Sequence, residues 1–296
     1  MTRLGSALSN NLQPMSCREG DLGPYLFGGL MSYDDYLTEH PLHEAFGIDL
    51  ADYGPASEKV QKSVLESVDP ENHTPFAPEL DDLVRLHFLV TSRRVTTILE
   101  FGVGKSSVVF GLALDANRST YSPPSDLRRA NLHECHSVDN NAEWLAACRN
   151  LGLPDCVNLH HSDCRTSTFN DRICTMFDSL PNVCPDLIYL DGPDQFSPLG
   201  DVRGISTRTS DRLPMSGDIL AIEHFLLPGT LIVVDGRTAN ARFLATNLQR
   251  NWVHWHAEEF DQHFFELVES PLGRISVEQL DYCLGPSFRK RLELWG

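Results

Sequence analysis

The chain has 296 residues, 41% hydrophobic and 22% charged, with a formal charge of −17. That length suits one large α/β domain plus an extension. The acidic balance, with its densest basic run at Arg289-Lys290-Arg291, argues against a nucleic-acid substrate, whose phosphates need a basic surface. Eight cysteines are scattered with no Cys-x-x-Cys spacing, which reads as reduced thiols in a cytoplasmic protein. Residues 1–20 lack an apolar core, so no signal peptide is expected. The apolar runs are too short for a membrane-spanning helix.

In chain order, residues 1–75 read as a partly irregular N-terminal extension and 76–296 as the main domain. Residues 1–24 look loosely attached, and 25–55 suggest no regular element. Ala56 to Val68 is an amphipathic pattern with Val60, Val64, Leu65 and Val68 on one face. A second helix is expected from Pro78-Glu79, with Leu80, Leu83, Val84, Leu86 and Val90 turned to the core. This region is expected to pack beside the sheet and help close a pocket. From Val95 the pattern alternates strand and helix, which predicts a doubly wound, mostly parallel sheet.

Val95 to Phe101 is a β-branched, apolar run suited to a buried parallel strand. Glu100, Gly102 and Gly104 follow as acid-x-Gly-x-Gly, and Ser106 and Ser107 open a helix through Leu114. Residues 116–133 read as a loop. Strands then end at Asp139, at Ser162-Asp163, at Asp191 and at Asp235. Residues 192–217 form a long polar loop after the fourth of these strands, and such loops are usually functional. Asp218 to Leu227 reads as a helix. Trp252–Glu258 and Phe264–Val268 read as an antiparallel edge hairpin, with His254 and His256 in a solvent-facing row.

The glycine turn makes a nucleotide-type site, because only glycine lets backbone come so close to a ligand. A P-loop would need glycine at position 99, which is Leu99. The dinucleotide fingerprint would need glycine at 107, which is Ser107. Glu100 beside the turn would repel a pyrophosphate but suits a ligand with an ammonium and a sulfonium, as in S-adenosylmethionine. Glu100, Asp139, Asp163, Asp191 and Asp235 all stand at carboxyl ends of strands, where open α/β sheets bind ligands. His133, Glu134, Cys135 and His136, with His160, His161 and Cys164, lack known zinc spacings and read as sheet packing.

With these motifs in this order, the chain resembles the class I S-adenosylmethionine-dependent methyltransferases over roughly residues 75–270. The resemblance implies a seven-stranded, mostly parallel sheet with an antiparallel edge hairpin. It implies that Glu100, Gly102, Gly104 and Ser106 hold the methionine moiety. Asp139 would accept the ribose hydroxyls, Asn140 would sit beside the adenine, and Ser162 and Asp163 would meet its edge. Asp191 lies where the methyl group emerges, and Asp191 or His224 is the candidate general base. One metal-dependent branch holds a divalent cation at the places of Asp191 and Asp235. There an asparagine normally follows the second acid, while this chain has Gly236, with Asn240 as a stand-in; hard oxygen donors suit Mg²⁺. Arg203, Arg208 and Arg212 of the long loop would suit an anionic small-molecule acceptor of the sugar or acid type. An aminopropyl transferase and a non-catalytic nucleotide-binding module of the same fold remain alternatives, and a homo-oligomer stays open.

Overall fold

The computed structural model describes residues 17–48, 50, 79–124, 127 and 129–296. The helix expected over 56–68 lies outside them, as do Pro75 and Pro78.

The N-terminal segment is more regular than its composition suggests. Strand β1 (Arg18–Glu19) is followed by helices α1 (Gly23–Leu26) and α2 (Tyr33–Glu39) and a 3-10 turn at Glu44–Phe46. Ser32 caps α2 by accepting the Asp35 N–H. Leu22 and Leu26 enter the main core, so residues 17–24 are anchored. The expected second helix is α3 (Leu80–Ser92), and all five apolar positions read from its sequence are buried.

The α/β alternation then runs β2 (Thr97–Phe101), α4 (Lys105–Thr120), β3 (Glu134–Asp139), α5 (Ala142–Arg149) and β4 (Val157–His161). Helix α4 therefore claims the first residues of the expected 116–133 loop. Next comes a hairpin that the sequence pattern did not suggest, β5 (Cys164–Phe169) and β6 (Arg172–Phe177). The chain continues with β7 (Leu187–Leu190), α6 (Asp218–Ile222) with a 3-10 turn at Glu223–Phe225, β8 (Leu231–Asp235) and α7 (Thr238–Asn247). The edge hairpin is β9 (Trp252–Ala257) and β10 (Gln262–Leu267), and α8 (Arg274–Cys283) and α9 (Pro286–Trp295) end the chain. No helix among the described residues is long and apolar enough to cross a membrane.

The main sheet has the order β1-β9-β10-β8-β7-β2-β3-β4. Strands β4, β3, β2, β7 and β8 are mutually parallel, and β10 runs against its neighbours β8 and β9. The expected seven strands are present, and β1 adds an eighth, parallel to β9. Alternation along each strand splits the core in two. Ile98, Tyr189, Leu231, Val233 and Phe264 face α3 and α4, while Leu99, Phe101, Leu190, Ile232 and Val234 face α6 and α7.

Because β1 covers β9, the expected solvent-facing histidine row is half-buried. His254 and His256 stack on His263 with ring centroids 5.3 and 3.9 Å apart, and His263 also meets the Thr238 hydroxyl at 3.2 Å. The zinc-like cluster is split by strand alternation, as expected. Cys135 is in the core, and His136 stacks on His160 on the other face.

Candidate functional site

Backbone hydrogen bonds continue past the strand ends and set one row of residues across the crevice. Asp191 N–H donates to Phe101 O, Gly102 N–H to Val138 O, and Ser162 N–H to Asp139 O, at 2.9–3.1 Å. The row Asp191–Gly102–Asp139 is thus fixed by sheet register, with His161 opposite Asp139 and Ser162 one residue beyond it. Gly102 has φ +95°, and a Cβ there would meet Gly192 N at 3.0 Å and the Asp191 carbonyl carbon at 3.1 Å. Glycine is required by both conformation and contact. At Gly104 the opposite holds: beyond its Cα is open space, with nothing within 4 Å of an added Cβ. That space is where a ligand can approach the turn.

Glu100 does not face this space. It is wholly buried, and its carboxylate accepts hydroxyls from Ser106 (2.5 Å), Ser107 (2.6 Å) and Ser137 (2.5 Å). Loss of hydration pushes its pKa up to about 7, against the pull of the three hydroxyls. Through these bonds Glu100 ties β2, β3 and the start of α4 together behind the turn. Ser106 is occupied by the same contact. Ser107 also accepts the Gly104 N–H at 3.1 Å, closing the first turn of α4.

Asp139 stands at the end of β3 and is nearly buried. Its oxygens accept the N–H groups of Val103 (3.1 Å) and Asn141 (2.7 Å), leaving lone pairs toward a ligand. Burial pushes its pKa up, and those backbone donors hold it down. Asn141, not Asn140, caps α5, by accepting the Glu143 and Trp144 N–H groups. Asn140 instead accepts the Ser197 hydroxyl of the long loop at 3.3 Å. Ser162 is buried and accepts the Ser179 N–H at 2.9 Å. Asp163 is half-exposed and pairs with Arg165 at 3.3 Å.

At the next strand ends the acids differ. Asp235 is held on both oxygens, by the Tyr189 hydroxyl at 2.7 Å and by Gln262 Nε2 at 3.0 Å. Asp191 keeps its side chain 52% exposed, and Arg237 Nε lies 3.4 Å from its Oδ1. The rest of that guanidinium donates to Asp191 O and, at 3.0 Å, to Pro193 O. Partial loss of hydration pushes the Asp191 pKa up to about 6 although the side chain is half exposed; Arg237 opposes that push and nearby Asp235 adds to it.

The donor set does not suit a divalent cation. Each Asp235 oxygen already accepts one hydrogen bond, and Asn240 is buried with Oδ1 accepting the Ser216 N–H at 3.0 Å. A guanidinium already sits against Asp191. Among the described residues, the one group of three or more acids close enough to share an ion is Glu79, Asp81 and Asp82, at the start of α3, where Asp82 meets Gln262.

His224 lies in the 3-10 turn that precedes β8, at the amino ends of the parallel strands and exposed. The other candidates gather at the carboxyl ends, so the fold does not bring His224 to them.

The long loop is zipped to the unexpected hairpin. Thr166 N–H donates to Leu199 O and Leu199 N–H to Cys164 O along β5; Thr175 N–H donates to Met215 O and Gly217 N–H to Thr175 O along β6. The loop is thereby held as a cap beside β7. Arg208 Nε donates to Pro198 O at 2.8 Å and Arg212 Nη1 to Ser206 O at 3.3 Å, so both brace the loop. Arg203 is exposed, in a left-handed turn. From the N-terminal side Tyr33 reaches Arg85 at 2.9 Å, and Gln262 links to Asp82 at 3.4 Å. The described part of the extension thus meets the sheet near the Asp235 end of the crevice.

Arg237 and Gln262 were missed in the sequence. The signal for Arg237 was its place two residues after the acid that ends β8.

Strand order, the reversed β10 and the glycine turn after β2 define the fold of the class I S-adenosylmethionine-dependent methyltransferases. No protein-family model matches the sequence, and no curated protein matches it. Among solved structures, it is similar to an S-adenosylhomocysteine-bound methyltransferase, PaMTH1, from Podospora anserina. Identity is 14% over 74% of this chain and 99% of that one, with a TM-score of 0.37. It is also similar to the O-methyltransferase TomG of Streptomyces achromogenes, involved in tomaymycin synthesis and solved with S-adenosylmethionine. Identity there is 14% over 81% and 100% of the two chains, at a TM-score of 0.37. The fold assignment rests on the strand order and register, not on these scores.

Proposed function

We propose that the chain is a methyltransferase that uses S-adenosylmethionine to methylate a small-molecule acceptor, with an oxygen of a sugar- or acid-type metabolite as the accepting atom. The observation that carries this reading is the row Asp191–Gly102–Asp139, with Ser162 one residue beyond on β4, set by backbone bonds around the open space at Gly104. When bound, S-adenosylmethionine supplies a methyl group on a positively charged sulfur, already activated for displacement.

The residues present fit that ligand. The Gly102–Gly104 backbone admits it closely. Asp139 has lone pairs left for the two ribose hydroxyls, and a carboxylate can accept both. Asn140, Ser162 and Asp163 border the adenine side. Asp191 faces the acceptor side, ionised above about pH 6, and can take a proton from an acceptor hydroxyl. The hairpin and loop narrow the crevice and limit water, which favours alignment over hydrolysis.

Calorimetry with S-adenosylhomocysteine, ATP and NAD tests the reading. S-adenosylhomocysteine is expected to bind and the two phosphate ligands are not. Tight ATP binding with no response to S-adenosylhomocysteine would overturn it. Binding of decarboxylated S-adenosylmethionine in preference to the parent compound would favour the aminopropyl transferase reading.

A further inference from the structure

Arg237 lies where the sequence pattern suggested a metal. Three of its five N–H groups are engaged, one on Asp191 Oδ1 at 3.4 Å and two on the carbonyls of Asp191 and Pro193. The firmer ties are to neutral carbonyls. They hold the head in place without cancelling its charge, and the longer contact to Asp191 cancels it only in part. Two N–H groups remain, and the side chain is 23% exposed beside the half-exposed Asp191. A guanidinium pre-set by backbone carbonyls matches the planar two-oxygen geometry of a carboxylate.

We propose that Arg237 takes the place of a divalent cation and anchors the acceptor, selecting small molecules that enter the crevice as carboxylate anions. The inference deepens the proposed function and rests on it for the placing of the acceptor beside Asp191. An acceptor that arrives ionised brings its own lone pair and needs no proton removed. For such an acceptor Asp191 serves to hold Arg237; for a hydroxyl acceptor it is the base. Arg237 is an anchoring residue here, and its role is readable in binding without turnover.

The experiment titrates the wild-type protein, with and without saturating S-adenosylhomocysteine, with benzoate, 4-hydroxybenzoate and succinate, each against its own amide. At least one acid is expected to bind tenfold or more tighter than its amide. Arg237→Gln is expected to remove that preference and Arg237→Lys to keep part of it, with S-adenosylhomocysteine affinity unchanged in both. Paramagnetic resonance of added Mn²⁺ should show no tight binding to the wild type. The inference is overturned if no acid is preferred, if the preference survives in Arg237→Gln, or if the wild type binds Mn²⁺ tightly and Asp191→Asn abolishes that binding. If S-adenosylhomocysteine binds to none of the proteins, the donor assignment fails. The acid and amide titrations of the free protein then still decide the role of Arg237. A denaturant curve for each variant separates loss of the anchor from loss of the fold.

Discussion

Replacing Glu100 by glutamine should make the protein more stable at neutral and alkaline pH, although it removes a charge bound by three hydroxyls. The folded-state pKa of Glu100 is raised from 4.5 to about 7. A raised folded pKa means that the folded state keeps a proton which the unfolded chain has lost. The associated stability is fully present below pH 4.5 and is lost as pH rises through 7. At 1.36 kcal/mol per pH unit, the span corresponds to about 3 kcal/mol. Glutamine is neutral throughout, and the hydroxyl of Ser106 or of Ser137 can rotate to accept from its amide. The variant should therefore exceed the wild type by about 1–3 kcal/mol at pH 8 and converge on it near pH 5. Urea unfolding at pH 5, 6, 7 and 8 reads this, with the denaturant slope unchanged between the two proteins. Asp218, raised to about 7, titrates in both proteins and cancels in the difference; Asp191, whose charge helps raise Glu100, adds a smaller contribution of the same sign. A variant that is less stable at pH 8, or a difference independent of pH, would refute the reasoning. The same variant should bind S-adenosylhomocysteine within threefold of wild type, because the carboxylate is turned away from the crevice. A loss beyond tenfold would restore Glu100 as a ligand residue.

Asp139→Ala should weaken S-adenosylhomocysteine binding by about 1.5–3 kcal/mol, the worth of charge-assisted hydrogen bonds, with an unchanged dissociation constant removing Asp139 from the site. It should also lower the melting temperature, since the Val103 and Asn141 N–H groups lose their acceptor. Gly102→Ala should cost about 2 kcal/mol or more in urea unfolding, because its φ of +95° is strained for alanine and the Cβ strikes backbone across β7. Wild-type stability in that variant would show that the two turns can separate. Asp191→Asn should leave donor affinity within threefold while lowering turnover of a hydroxyl acceptor by ~10²-fold or more, the scale for losing a general base. Normal turnover would leave Asp191 with only its contact to Arg237.

The sequence by itself determined the parallel sheet and the place of the crevice. Runs such as Leu187–Leu190 and Leu231–Val234 are too apolar for anything but a strand covered on both faces. Each is followed at once by an acid, so period and punctuation were both local signals. The glycine turn was legible for the same reason, since the conformation at Gly102 is fixed by its own residue type. What those acids do was decided only in three dimensions. Glu100 is turned inward because Ser137, on the neighbouring strand, and Ser107, on the helix, meet it from both sides. Asp235 is closed off by Tyr189 from β7 and Gln262 from β10, while Asp191 stays open and gains Arg237 from 46 residues away. The β5–β6 hairpin is half polar and short, and it is held by a loop that has no period of its own. Strand β1 has two residues and exists only because β9 offers an open edge. A strand's existence follows from its own side chains, whereas a carboxylate's role follows from which donors the fold brings to it, and decisive ones here, Ser137, Gln262 and Arg237, lie far away in sequence.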